Sequence, residues 1–130
     1  MDETTRHVVI ATSRASEEHR ITFPEVVAKL AVAGIERNSV DLVTGTSTYY
    51  TSGDETEVVR FPRPHRPAAD FSAEGVAAAV ARSQRENTPF PAFRAEIAGA
   101  GCVGFCVSLR RVVYYGRTAD SHIEHFPPTA

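Results

Sequence analysis

Two sets of side chains in this sequence have the types and spacing to do chemistry. The first is a pair of tyrosine doublets, Tyr49-Tyr50 and Tyr114-Tyr115, each set in a short run of β-forming residues. Neighbours on a strand point to opposite faces, so each doublet should bury one phenol and leave the other facing solvent or a groove. There a phenol could hydrogen-bond a ligand or deliver a proton. Spacing leaves open which member faces the groove: Tyr50 and Tyr115 are candidate catalytic groups, and Tyr49 and Tyr114, with Asp41, are candidate ligand contacts. The second set is His122-x-Glu124, two residues apart and therefore on one face of a strand. These two are candidate acid and base, or two ligands for a metal such as zinc if a third converged on them. His19, His65 and His125 have no metal-ligand spacing, so neither a metal nor a cofactor is assigned. Each set also has a plainer role, since tyrosine is a strand former with a wet tip and a His–Glu pair can be a solvated surface pair.

Other chemistries find no support. A Gly-x-Ser-x-Gly elbow is absent, and Gly99-Ala-Gly101 ends a helical pattern where a phosphate loop would begin one. Cys102 and Cys106 fall four apart in a strand pattern, which predicts one face and a separation of roughly 13 Å, too long for a disulfide. Cys102 follows a helix C-terminus, where the dipole disfavours a thiolate, and Cys106 is expected to be buried and inert.

The elements that must position these residues are written twice. Phe23 and Phe90, Gly34 and Gly101, and Leu42 and Leu109 are each 67 residues apart, whereas Tyr50 and Tyr115, and Phe61 and Phe126, are 65 apart. One two-residue difference, between Leu42 and Tyr49, accounts for the shift, and a length change confined to a turn is what a hairpin difference looks like. Residues 8–18 and 75–85 match at this offset and read as helices, the second opened by Ser72 as N-cap with Glu74 in its first turn. Thr22-Phe-Pro-Glu25 has the form of a capping box, and in the second copy Thr88 stands where a cap is needed. Gly34 and Gly101 are the left-handed stops, after which the apolar period changes from helical to alternating. Each copy therefore reads helix, helix, three-stranded meander. The prediction is an α+β domain spanning residues 1–130, with a first copy over 1–62, a Pro/Arg-rich linker over 63–71 and a second copy over 72–130. Its antiparallel sheet has about six strands, open or curled into a half-barrel, with helices on one face.

A chain of 130 residues with 42% hydrophobic and 23% charged residues can bury a core without disulfides or metal. A formal charge of −2 argues against general affinity for nucleic acid or an anionic membrane. The local exception is Arg60, Arg63, His65 and Arg66, which could contact phosphates but read more simply as a solvated, proline-stiffened linker. The first residues lack the basic start and apolar core of a secretory signal, and with two unpaired thiols the expected location is the cytoplasm.

With Thr22-Phe-Pro-Glu-Val-Val27, Ala33-Gly34, Val40-Asp-Leu-Val43, Thr48-Tyr-Tyr50, Val113-Tyr-Tyr-Gly116 and Ile123-Glu-His-Phe-Pro127 in view, the sequence resembles the YbcV-like family of unknown function. Some of its members carry a phage-envelope-protein name. The resemblance covers almost the whole chain and implies a fold, but it supplies neither an activity nor catalytic residues. Two functions remain. One is a binding domain whose groove between the copies takes a small molecule or a protein partner, with a homodimer as a candidate assembly. The other is a small enzyme of specialised metabolism using a tyrosine with Asp41, His122 or Glu124 as acid and base in that groove.

Overall fold

Helix starts in this chain are set by side chains that satisfy the first free backbone amides. In the computed structural model, which describes residues 1–62 and 64–126, Asp2 caps α1 (Glu3–Glu17) by accepting from the Thr5 amide. Thr22 and Glu25 form the complete capping box at the start of α2 (Phe23–Val32). Ser72 caps α3 (Ala73–Glu86) by accepting from the Gly75 amide. The cap expected from Thr88 is not made: Pro89 occupies the N-cap of α4 (Phe90–Gly99), and no side chain bonds its first turn. Pro91 within that turn has no N–H, so one fewer amide needs a partner.

After Gly34 and Gly101 the chain enters two meanders, β1 (Ile35–Asp41), β2 (Thr46–Thr51), β3 (Thr56–Arg60) and β4 (Cys102–Val107), β5 (Arg111–Gly116), β6 (Ser121–His125). They join into one antiparallel sheet of order β3-β2-β1-β4-β5-β6, open and not curled into a barrel. Ser39 pairs with Cys106, its own equivalent in the second copy, flanked by Asn38 with Val107 and Val40 with Phe105. The pseudo-two-fold axis therefore passes between Ser39 and Cys106. Register slips at Ile35/Arg37 and again at Cys102/Gly104, the equivalent place. This second bulge corrects the sequence reading of the cysteines. It turns Cys102 into the core, where burial pushes its thiol pKa up, while Cys106 stays on the open face and is exposed.

All four described helices pack on one face of the sheet. Val40, Leu42, Phe105, Val107, Val112 and Tyr114 meet Val76, Val80, Phe93 and Ile97 in the larger core, and Ile35 and Tyr49 meet Val9 and Leu30 in a smaller one. The other face carries Arg37, Ser39, Asp41, Tyr50, Cys106 and Tyr115 and has no helix over it.

The linker is not a free tether. Among its described residues, the His65 amide donates to Leu42, Ala68 to Ala98 and Ser72 to Ala100, so the joining segment lies along the C-terminal end of α4. Arg63 lies outside the described residues, as does Pro127. This docking makes the two glycine stops unequal. Both have positive φ, 91° at Gly34 and 86° at Gly101. A Cβ at Gly34 would meet nothing within 4 Å, whereas one at Gly101 would sit 2.1 Å from the Asp70 carbonyl oxygen. Gly34→Ala should therefore cost about 1 kcal/mol, the left-handed penalty alone. Gly101→Ala should cost roughly 3 kcal/mol or more, because backbone must also move. Urea denaturation of the two variants checks this, and equal losses would contradict the docking.

Candidate functional site

The duplication builds the same cleft twice. Each lies between the first helix of one copy and the second helix of the other, and the two are related by the 67-residue offset. The first is walled by Ser16, Glu17, Phe23, Phe61, Phe90 and Arg94, and its free space is about 60 Å³. The second is walled by the equivalent residues Ser83, Gln84, Phe90, Phe126, Phe23 and Val27, and it opens to about 1080 Å³. At equivalent positions the closed cleft has Arg94 in α4 and Glu17 in α1, where the open one has Val27 in α2 and Gln84 in α3.

Arg94 fills its cleft. Only 1% of it is exposed, and its two terminal nitrogens donate to the two oxygens of Glu17 at 2.6 and 2.8 Å. The guanidinium carbon lies 4.1 Å from the centre of the Phe61 ring and 4.8 Å from that of Phe90. A planar cation stacked on aromatic faces and held bidentately by a carboxylate is the geometry to which arginine is best suited. Its Nε has no partner. His65 from the linker lies beside this pair. Burial, then the Arg94 charge, hold its pKa below the usual imidazole range, against a smaller opposing pull from Glu17. The histidine expected to sit on a solvated linker is thus part of the plug.

In the open cleft the chain has neither the arginine nor its carboxylate at these positions. Val27 is too short to cross, Gln84 stands where Glu17 would, and Phe23 and Phe126 rest edge to face at 5.9 Å. Phe93, Phe105 and Tyr114 continue the aromatic wall, with ring centres 6.0 Å apart for Phe93 and Tyr114 and 5.4 Å for Phe105 and Tyr114. The carboxylate comes from the sheet. Glu124, on β6 at the position Val59 holds in β3, accepts from the Tyr114 hydroxyl at 2.8 Å and from Gln84 Nε2 at 2.9 Å. Among the described residues no cation pairs with it. Burial of Tyr114, reinforced by the Glu124 charge, pushes the phenol pKa well above its usual range. Tyr114 is accordingly a fixed proton donor to Glu124.

The residues nominated from sequence are divided by the sheet. Tyr49, Tyr114, His122 and Glu124 lie on the helix face, and Tyr114 and Glu124 line the cleft. His122 shares that face with Glu124, as its spacing requires, but stacks on Tyr114 at 6.3 Å, and Tyr49 is buried in the smaller core. Tyr50, Tyr115 and Asp41 lie on the opposite face, so the expectation that they share the groove with Glu124 is corrected. The pleat sends the second tyrosine of each doublet away from the helices. Tyr50 lies on the Arg37 guanidinium at 3.7 Å, and Tyr115 lies down over Gly104, where a Cβ would come within 2.5 Å of its oxygen. Burial raises the Tyr115 pKa as well. Asp41 accepts from the Val43 and Thr44 amides at 2.9 and 3.0 Å, closing the turn into β2. No group of three metal-ligating side chains occurs among the described residues.

Sequence reasoning missed Arg94, Glu17 and Gln84. A signal was present: Arg94 continues the apolar stripe of Phe90 and Ile97 at helical spacing, exactly one repeat from Val27. A scan against family models and a search of curated proteins return no match to this chain.

The plug gives two predictions. Glu17→Leu leaves a buried guanidinium unpaired and should cost about 3 kcal/mol or more. Arg94→Met should cost less, since the carboxylate it leaves, 22% exposed, can reach water. Chemical denaturation ranks the two, and the opposite order would mean that Arg94 reaches solvent. His65, with a folded pKa below the unfolded value near 6.5, contributes stability that is complete above the unfolded pKa and lost as pH falls below it. Wild type should therefore lose more stability than His65→Asn between pH 7 and pH 5, measured by parallel denaturation at each pH.

Proposed function

We propose that the chain is a small ligand-binding domain of the cytoplasm whose open cleft between the two repeats takes a small organic molecule with an apolar body. The observation that carries this reading is the contrast between the two clefts. The same framework is plugged by Arg94 and Glu17 on one side and left open at about 1080 Å³ on the other. That volume lies just above the usual range for small-molecule sites, and the lining has their usual character, aromatic and aliphatic walls with a few convergent polar groups. The polar groups are Glu124, Tyr114 and Gln84, already oriented by mutual hydrogen bonds. Two free cysteines on opposite faces of the sheet fit a reducing compartment. Among the described residues no helix is long and apolar enough to cross a membrane.

The enzyme alternative is the weaker of the two. Its acid and base set combines a tyrosine with Asp41, His122 or Glu124, and the sheet divides that set: Tyr50, Tyr115 and Asp41 stand on the face with no helix over it, where Asp41 closes a turn by accepting from two backbone amides, and His122 and Glu124 stand on the other. Tyr114, which does touch Glu124, has its proton held by burial and by the adjacent carboxylate.

The twin cleft supplies the test. Val27→Arg with Gln84→Glu rewrites the open cleft in the residues of the closed one. The double variant should remain folded by circular dichroism and lose at least about tenfold in affinity for the neutral dye N-phenyl-1-naphthylamine, read from its fluorescence. Undiminished dye binding would place the ligand elsewhere.

A further inference from the structure

We infer that the ligand of the open cleft is an organic cation, an ammonium or guanidinium head on an apolar body, with the head on Glu124 and the body along Phe23, Phe90 and Phe126. This rests on the proposal that the open cleft is the binding site and adds the chemical class of what enters it.

Three observations point to a cation. The first is charge. Glu124 is the one carboxylate among the described residues lining the cleft, and among those residues no lysine or arginine lines it. The two hydrogen bonds from Tyr114 and Gln84 use one site on each oxygen and leave further lone pairs free to accept. Both donors are neutral: they orient the carboxylate and leave its charge uncompensated. The histidines of the lining are His19 and His125, and neither makes an ion pair with Glu124.

The second observation is the wall. Phe23, Phe90 and Phe126 are half-buried rings at the cleft, with Phe93, Phe105 and Tyr114 buried behind them. Ring faces carry the negative part of the aromatic quadrupole, so a cation that loses water on entry is partly compensated there. An anion would meet both the ring faces and the carboxylate unfavourably.

The third is the twin. In the equivalent cleft the protein's own occupant is a cation on an apolar stem, Arg94, between two aromatic rings and on a carboxylate. The open cleft keeps the rings, and it keeps a carboxylate by moving it from the helix at position 84 to the strand at position 124. The internal cation alone is missing. The carboxylate of the open cleft stands beside Tyr114, whose hydroxyl donates to it.

Phenyl-bearing probes of different charge decide the matter. 2-Phenylethylammonium and benzylguanidinium, neutral 2-phenylethanol and anionic 3-phenylpropionate are titrated into the isotopically labelled chain, with the amides of residues around Gln84, Phe93 and Glu124 followed by NMR. The expected result is an affinity for the two cations about tenfold or more above that for the alcohol, with the anion weakest. Added salt should reduce the preference. Glu124→Gln should abolish the preference, bringing the affinity for the two cations down to that for 2-phenylethanol in the same variant. Equal or tighter binding of the alcohol or the anion in wild type overturns the cation assignment and leaves the cleft reading standing. No shift at the cleft amides with any probe at millimolar concentration overturns both. Because the comparison among probes is made on wild type, the outcome does not depend on the folding of the variant.

Discussion

The ion pair between Arg94 and Glu17 is the constraint on which the arrangement of the helices depends. A guanidinium that is 1% exposed is tolerable only with a counter-charge and oriented donors, and Glu17 provides both from the last turn of α1. The pair therefore fixes α4 of the second copy against α1 of the first, at the spacing that two aromatic rings and a guanidinium between them require. Among the described residues no ion pair ties α2 to α3. The symmetry-related helices are held by their own copies, each on its own half of the sheet, and the space between them is left over.

Such a division suits a duplicated fold. The centre is symmetric because the strands must match there. Ser39 faces Cys106 across the axis, and the flanking pairs and both bulges repeat. Away from the axis the register no longer constrains side-chain identity, and the copies separate in chemistry: Arg94 for Val27, Glu124 for Val59, His122 for Glu57, Gly104 for Arg37. The last exchange shows how locally each difference is absorbed. Where β1 offers Tyr50 an arginine to lie on, β4 offers Tyr115 a glycine, and the ring comes down onto the backbone.

The framework was legible because its signals are local. Capping residues, glycine stops and the change of period from helix to strand each act over a few residues, and the duplication supplied every one of them a second time. The site was less so. Alternation alone does not say which member of each tyrosine doublet turns inward, and the bulge at Cys102/Gly104, which leaves no mark in the hydrophobic pattern, puts the two cysteines on opposite faces. Glu124 was legible from its spacing with His122, but its partner Gln84 lies 40 residues away and on another element. Arg94 looked like one more charge on an amphipathic helix until the helix was placed with that position facing inward.

Comparing the copies position by position also separates structural from functional use of polar groups, which a single cleft would not. Arg94 and Glu17 satisfy one another and need nothing from outside. Tyr114, Gln84 and Glu124 satisfy one another's geometry but not the charge. A phenol whose proton is held by burial and an amide that cannot ionise can orient a carboxylate, yet neither can neutralise it. A half-buried carboxylate costs free energy unless it is paired or hydrated, and an aromatic wall limits hydration. The set is therefore complete in its hydrogen bonds and incomplete in its charge, and in a cleft of this size the missing partner can come from solution.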